Sequence, residues 1–309
     1  MPLVGPARGR AAAKTQVDYR WRLDHLLRYL ARNATADIDV RRVDWLRAQL
    51  RDRGLAARSV NMVLDCLAQV LDDAVEYGLL DTNPARGKRR RMRLPQSRRT
   101  FLEPDQVVDL LDAAGRWERE LLADERFADR VIRGRRALLA TLCLAGPRIH
   151  ELTAATRARL DVHGGRLRIG EAKTEAGLRD VELTAFLLDE LRGHLAGVPA
   201  ELRERRGPAL PVFPTGTGGH HSDSNVRNRL LAGAVRRANE KRAAEGEMLL
   251  PERVTPHTLR RTFASLALAA GRDPRWVMAQ LGHTDARFML NVYAQVMQRQ
   301  RIDKELICG

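Results

Sequence analysis

His257, Arg260, His283 and Tyr293 stand three, twenty-three and ten residues apart, in a stretch that reads as successive helices. Residues three apart on a helix are neighbours, so His257 and Arg260 share one face. The run His257-Thr258-Leu259-Arg260-Arg261 supplies donors suited to one phosphate, and the phenol of Tyr293 follows as a hydroxyl nucleophile. These residue types at this spacing could break and rejoin DNA.

The rest of the composition fits a partner that is a polyanion. The 309 residues are long enough for two ordinary domains, and 54 Lys and Arg against 39 Asp and Glu give a formal net charge of +15. Nucleic acid is the first expectation and an acidic membrane surface the second. No apolar run reaches the roughly 18 to 20 residues needed to span a bilayer. No signal-peptide core opens the chain, so a cytoplasmic, nucleoid-associated protein is expected. Cys66, Cys143 and Cys308 lack paired ligand spacing, which suggests neither a disulfide framework nor a zinc site. The first two are expected as buried small apolar residues.

The charge is unevenly spread. Residues 1–100 hold 21 basic and 11 acidic side chains, a net of +10, and the remaining 33 and 28 give +5. Only five of the 54 basic residues are lysines, at positions 14, 88, 173, 241 and 304, so each lysine departs from the chain's habit of using arginine.

The elements that must position these residues can be read from periodicity. Residues 1–13 form a Gly, Pro, Ala and Arg tail without apolar period, expected to be disordered until it meets DNA. Three helical stripes follow: Tyr19, Leu23, Leu26, Leu27 and Leu30; Val43, Leu46 and Leu50; and the longer run Val60, Val63, Leu64, Leu67, Val70, Leu71 and Val75. They predict a helical domain over 14–86. Asn83-Pro84 breaks the pattern, and the Arg- and Pro-rich stretch 87–100 is expected to be a basic linker. There Arg89, Arg90, Arg91 and Arg93 would contact the phosphate backbone and make binding salt-dependent.

A second domain over 101–309 opens at Leu102-Glu103-Pro104-Asp105, an acidic helix start with proline in the first turn. Helices are expected near 103–114, 130–145, 148–157, 185–196 and 223–242, the last capped by Asp223. The charged segment 115–129 is expected to be helical in part. Strands at 166–169 and 181–183 flank a turn with Lys173 at its tip. The loop holding Gly216, Gly218, Gly219, His220 and His221 has no carboxylate or cysteine spaced to complete a metal site. The fold class is therefore mainly α with a small antiparallel β-sheet.

Five motifs then occur in order: Ala145-Gly146-Pro147-Arg148-Ile149-His150-Glu151-Leu152; Lys173-Thr174; His257-Thr258-Leu259-Arg260-Arg261; Leu281-Gly282-His283; and Tyr293-Ala294. Together they resemble the tyrosine recombinase (phage integrase) family. The region 15–95, with Ser59-Val60-Asn61 at a helix start and Asn83-Pro84 at its close, is also similar to that family's core-binding domain. The resemblance implies a SAM-like helical core-binding domain joined to a tyrosine-recombinase catalytic domain, the DNA breaking-rejoining fold.

It also implies roles for residues. Attack by the Tyr293 oxygen on a phosphodiester gathers negative charge on the nonbridging oxygens, which Arg148 and Arg260 would stabilise as planar, permanently charged forks. His257 would donate to the same phosphate or accept the tyrosine proton, and His283 would be a further donor. The departing 5′ oxygen needs a proton that arginine cannot supply. Lys173, a lysine in an arginine-rich chain, is thus assigned as general acid. Glu151, three residues after Arg148, would orient Arg148 or His283 rather than touch DNA. The intermediate would be a 3′-phosphotyrosyl linkage beside a free 5′ hydroxyl, with no metal, ATP or other cofactor. Family members act as four protomers on two paired double-stranded sites, some with a directionality factor.

Two positions depart from the family pattern, Arg261 where histidine is common and Pro147 where leucine is common. Neither removes a charge from the site. With about 14 residues before the first stripe, no separate arm-binding domain is read. The expected function is a site-specific recombinase that integrates or excises a mobile element. A Xer-like chromosome dimer resolvase is the nearest alternative, and a type IB topoisomerase shares the chemistry but not the domain pattern. A catalytically silent DNA-binding protein is the alternative from another class, opposed by the retention of all six chemical residues.

Overall fold

The computed structural model describes residues 13–94, 100–124, 134–170 and 178–282, and the chain divides into two compact units, Met1–Arg98 and Arg99–Gly309. In the first unit the three stripes form α1 (Ala13–Leu30), α2 (Val40–Asp52) and α3 (Ala57–Glu76). Asp39 caps α2 by accepting from the Arg42 amide at 2.7 Å, which satisfies one of the donors a helix start leaves open. Leu26 and Leu30 of α1, Val43, Leu46 and Leu50 of α2, and Val60, Val63, Leu64, Leu67 and Leu71 of α3 make the core. Each such aliphatic side chain contributes roughly 1.5–3 kcal/mol on burial. Tyr19, Leu23, Leu27 and Val70 share the periodicity but stay exposed, because a three-helix unit is too thin to cover the flanks of every stripe.

Past α3 the chain folds back onto the same unit. The Asn83 amide nitrogen donates to the Ala68 carbonyl and to Asp72, while its oxygen accepts from the Ala85 amide. Asn61 pairs with both backbone groups of Met92, at 3.0 and 2.7 Å. Arg47 donates to the Arg89 carbonyl at 2.9 Å, Arg90 pairs with Asp44 at 3.3 Å, and Arg91 pairs with Asp65. The basic stretch expected to link the domains is thus held on the first unit as far as Met92, as a 3-10 turn over Lys88–Arg90 and an extended run. Residues 95–99 of that stretch, and the tail 1–12, lie outside the described residues.

The second unit is built from α4 (Pro104–Ala123), α5 (Arg135–Leu144), α6 (Ile149–Ala154), β1 (Leu160–Asp161), β2 (Arg166–Ile169), β3 (Arg179–Glu182), α7 (Ala185–Ala196) and α8 (Ala200–Arg206). A longer helix, α9, follows as the turn Asp223–Asn225, the π-helical stretch Val226–Leu231 and the helix Ala232–Ala244. Then come α10 (Pro256–Ala269) and α11 (Pro274–Leu281). Helix α5 is the centre, with Ala137 to Cys143 all buried and α4, α7 and α10 packed around it. Cys66 and Cys143 are both buried, and burial pushes the Cys143 thiol up to about 12.

Several boundaries differ from expectation for tertiary reasons. Helix α4 continues past Gly115 because Trp117 lies against Gly233 of α9, where a methyl group would come within 2.8 Å of the indole. Arg135 and Arg237 also approach that ring, at 4.9 and 4.4 Å from its centroid. The part of the segment beyond Asp124 lies outside the described residues. Helix α6 stops at Ala154, short of the expected 157, because the Ala155 carbonyl accepts from Val212 and the Arg157 amide donates to Leu210. Ser222, not Asp223, caps α9 by accepting from the Asn225 amide, since the Asp223 carboxylate is taken by the Thr153 hydroxyl at 2.9 Å.

The sheet is antiparallel in the order β1-β2-β3, with Leu167 opposite Val181 and Ile169 opposite Arg179. Period-two alternation buries Leu167, Ile169 and Val181 and places Arg179 on the same inward face. The short strand β1 and helix α8 were not expected from periodicity, being only two and seven residues long. Among the described residues no helix is long and apolar enough to cross a membrane.

Candidate functional site

Gly146 begins the site. Its φ of +67° suits glycine, and a Cβ there would meet Phe263 at 2.5 Å and Leu281 at 2.9 Å. The tight approach lets the Gly146 carbonyl accept from Arg260 NH1 at 2.5 Å. Two residues on, Arg148 is the N-cap of α6, and Glu151 folds back to accept from the Arg148 amide at 2.7 Å and from its guanidinium at 2.7 Å. Glu151 therefore meets Arg148, as the spacing of three residues predicts.

Helix α10 carries the next pair. Thr255 and Thr258 form a reciprocal capping box around Pro256 at the first helical position, which fixes where His257 and Arg260 emerge. Leu259, Phe263 and Ala264 anchor the helix in the core, and the Thr262 hydroxyl accepts from the Leu102 amide at 2.9 Å. Arg260 is only 3% exposed and runs beneath the surface to the carbonyls of Gly146 and Leu281. His257 stands exposed one turn away.

Three guanidiniums converge on one helix end. Arg179 donates to the Gln280 carbonyl at 2.7 Å, Arg260 to that of Leu281, and Arg148 to that of Gly282 at 3.1 Å. The last carbonyls of a helix have no intrahelical partner and carry partial negative charge, so α11 ends in a cationic clasp. Gly282 closes it in the left-handed conformation, φ 60° and ψ 49°. His283 is the next residue in sequence. His283, Tyr293 and Lys173 lie outside the described residues, as does Cys308.

The electrostatics are those of a cationic site. Burial and then Arg148 pull the Arg260 guanidinium down to about 9. Desolvation, followed by Arg260, Arg261, Arg148 and Arg227, holds His257 below the ordinary histidine value, so it is neutral at pH 7 and able to accept a proton. Glu151, against burial, is drawn down to about 2 by Arg179 and Arg148. A phosphate diester entering this region would find preorganised donors in a site of low dielectric.

Sequence reasoning placed Arg148, Glu151, His257 and Arg260 at the site; the structure gathers Arg148, Glu151 and Arg260 around the end of α11 and leaves His257 exposed one turn of α10 from Arg260. It missed Arg179. Arg179 has no motif of its own in a chain with this many arginines, and its inward face on β3 was the available signal. Lys241, another of the rare lysines, forms an ion pair with Asp109 at 2.6 Å beside Arg242, tying α9 to α4. His220 donates to the Thr153 carbonyl at 2.7 Å. Among the described residues no group of three His, Cys, Asp or Glu side chains is arranged to hold a metal.

A mainly helical unit with a small antiparallel sheet thus presents a cationic arginine clasp chemically suited to an anion such as a phosphate. Residues 100–300 match the phage integrase family, and the chain belongs to that family of tyrosine recombinases, which catalyse DNA strand exchange. It is 30% identical to tyrosine recombinase XerC of Chromohalobacter salexigens over 90% of this chain and 84% of that protein. XerC of Serratia marcescens is 27% identical over 88% of this chain and 80% of its own. The fold is similar to that of the Tn1549 transposon integrase in complex with transposon right end DNA, with a TM-score of 0.72, 18% identity and coverage of 98% and 96%. It is similar also to a lambda integrase tetramer bound to a Holliday junction, with a TM-score of 0.66, 18% identity and coverage of 91% and 73%.

Proposed function

We propose that the chain performs conservative site-specific recombination through a 3′-phosphotyrosyl intermediate, integrating or excising a mobile element. The observation that carries this is the convergence of Arg148 and Arg260 on the end of α11, one residue before His283 in the sequence, with His257 one helical turn from Arg260. Arg148 and Arg260 hold the scissile phosphate, with His283 as a further donor. Tyr293 attacks phosphorus, its proton passing to His257, and Lys173 protonates the departing 5′ oxygen. Glu151 orients Arg148. The phosphodiester energy is kept in the tyrosyl ester, so the free 5′ hydroxyl can reverse the step without metal or ATP. The helical unit 14–86 and the basic stretch 87–100, through Arg89, Arg90, Arg91 and Arg93, grip the duplex, while 101–309 supplies the reaction.

Four protomers on two paired sites would complete the exchange, and a directionality factor would bias it. A protein acting on such sites would work in the cytoplasm, with the nucleoid. The XerC relatives favour a second reading, a chromosome dimer resolvase. Recombination of sites cloned from the ends of an inserted element, but not of a chromosomal terminus site, separates the two.

The test begins with selection of a binding site from random duplexes. A nicked, suicide version of that site in EDTA should trap a protein-DNA adduct on a denaturing gel, and Tyr293→Phe should abolish it. An adduct that survives Tyr293→Phe removes the nucleophile from this scheme.

A further inference from the structure

Arg179 is the first residue of β3 and six residues past Lys173 in the sequence. Its side chain is 7% exposed, and that of Glu151 is 2% exposed. Arg179 NH1 donates to Glu151 Oε1 at 3.1 Å, and NH2 donates to Oε2 at 2.9 Å. The same two oxygens accept from the guanidinium and the amide of Arg148. One buried carboxylate is therefore shared by two guanidiniums, of which Arg148, at 31%, is the exposed one.

The consequence is a question of charge. Were Glu151 paired with Arg148 alone, the pair would be neutral, and the cation facing an incoming phosphate would be largely cancelled. With Arg179 present the three side chains sum to +1, and the surplus sits on the exposed member. Arg179 also fixes the geometry of the helix end, because its Nε holds the Gln280 carbonyl while the Gln280 side chain exchanges two hydrogen bonds with the Glu182 backbone, at 2.9 and 3.0 Å. Strand β3 and the last turn of α11 are thereby bound as one piece.

We propose that Arg179 is a positioning residue of the recombination site, which neutralises Glu151 from the buried side so that the positive charge of Arg148 remains available to the scissile phosphate. This rests on the transesterification reading above. A guanidinium suits the task because it bridges both carboxylate oxygens and the Gln280 carbonyl at once. Burial makes the compensation strong, since a lone carboxylate in a poorly solvated site exerts its full field on its neighbour.

The test compares Arg179→Gln, Glu151→Gln and the double variant with the parent on the nicked duplex, measuring adduct formation at saturating DNA and duplex affinity separately. Arg179→Gln should slow adduct formation by about ten- to a hundredfold, approaching the loss of a direct phosphate donor, with affinity changed much less. Removing the uncompensated carboxylate should then restore rate, so the double variant should outpace Arg179→Gln by about threefold or more, a sign of coupling in a mutant cycle. A role confined to bracing the fold predicts no such recovery, and a double variant no faster than Arg179→Gln overturns the proposal. If Arg179→Gln does not fold by thermal unfolding, the double variant is compared with Glu151→Gln. Near-equal rates support compensation, and a double variant more than about tenfold slower overturns it. A parent chain that forms no adduct strikes the reaction scheme itself. The same variants are then compared for binding of inorganic phosphate, where weakening by Arg179→Gln and recovery in the double variant support the proposal, and their absence overturns it.

Discussion

Arginine is used in two different ways in the two units. In the first unit Arg86 and Arg91 pair with Asp72 and Asp65 on a surface open to solvent, and the half-buried Arg90 pairs with Asp44. In the second, Arg179 and Arg260 are buried and direct their donors to backbone carbonyls and to Glu151. Exposed pairs are weak, typically about 0–1 kcal/mol, and a phosphate can exchange for the aspartate at little cost. Buried guanidiniums with fixed partners cannot rearrange, so they define a geometry before any ligand arrives. On the proposed function, the first arrangement suits a grip that adjusts along a duplex, and the second a site that holds one phosphate in a fixed geometry.

The buried side of this contrast is most vulnerable at Arg260. Lysine there keeps a charge but cannot reach the Gly146 and Leu281 carbonyls together, and Arg260→Lys should slow adduct formation by roughly 10²- to 10³-fold. It should also lower the thermal midpoint, because at least one of the two carbonyls loses its donor, at about 1–3 kcal/mol for each left buried and unsatisfied. Replacement without loss of rate would mean that this clasp is structural and the phosphate is held elsewhere.

A smaller effect should follow acidification. The Glu151 carboxyl titrates near 2 in the folded chain against an ordinary 4.5. The stability it supplies is therefore present above about pH 4.5 and is lost as pH falls toward about 2, on the order of 2–3 kcal/mol in all. Urea unfolding of the parent and of Glu151→Gln across that range measures it, and the variant should show the flatter dependence. Equal slopes would show that the cluster does not hold the carboxylate as tightly as its geometry requires.

The smallest change in fold stability belongs to the first unit. Replacing Arg89, Arg90 and Arg91 by alanine should shift unfolding by less than about 1 kcal/mol, yet reduce the slope of log affinity against log salt by about one for each phosphate no longer neutralised. The preferred site should not change. Replacing Asp44 and Asp65 by asparagine should do the reverse and tighten binding at low salt, since it frees Arg90 and Arg91 for phosphate. A salt slope untouched by all of these would remove the basic stretch from the DNA interface.

Much of the architecture follows from short-range pattern. The stripes from Leu26 to Leu71, the acidic start at Pro104, the buried run from Ala137 to Cys143 and the hairpin strands at 166 and 181 all appear where period 3.6 or 2 places them. The misses are equally physical. Helix α6 ends early because Val212 and Leu210 claim its exit, and Asp223 loses the cap position to Ser222 because Thr153 reaches it from another helix. Within the stretch 87–100, expected as a basic linker, nothing local shows that Asn61, thirty-one residues earlier, holds Met92.

Residue types and their order belong to the sequence alone: arginine after a glycine turn, histidine and arginine one turn apart, a glycine ahead of His283, and a tyrosine behind. Those are properties of neighbours along the chain, set by backbone conformation and helical repeat. Which guanidinium meets which carbonyl was settled by the tertiary fold, which joins Arg260 to Gly146 across 114 residues and Arg148 to Gly282 across 134. It likewise singled out Arg179 from dozens of arginines. Long-range pairing depends on which faces close around a common core, and among chemically identical side chains no local pattern carries that information.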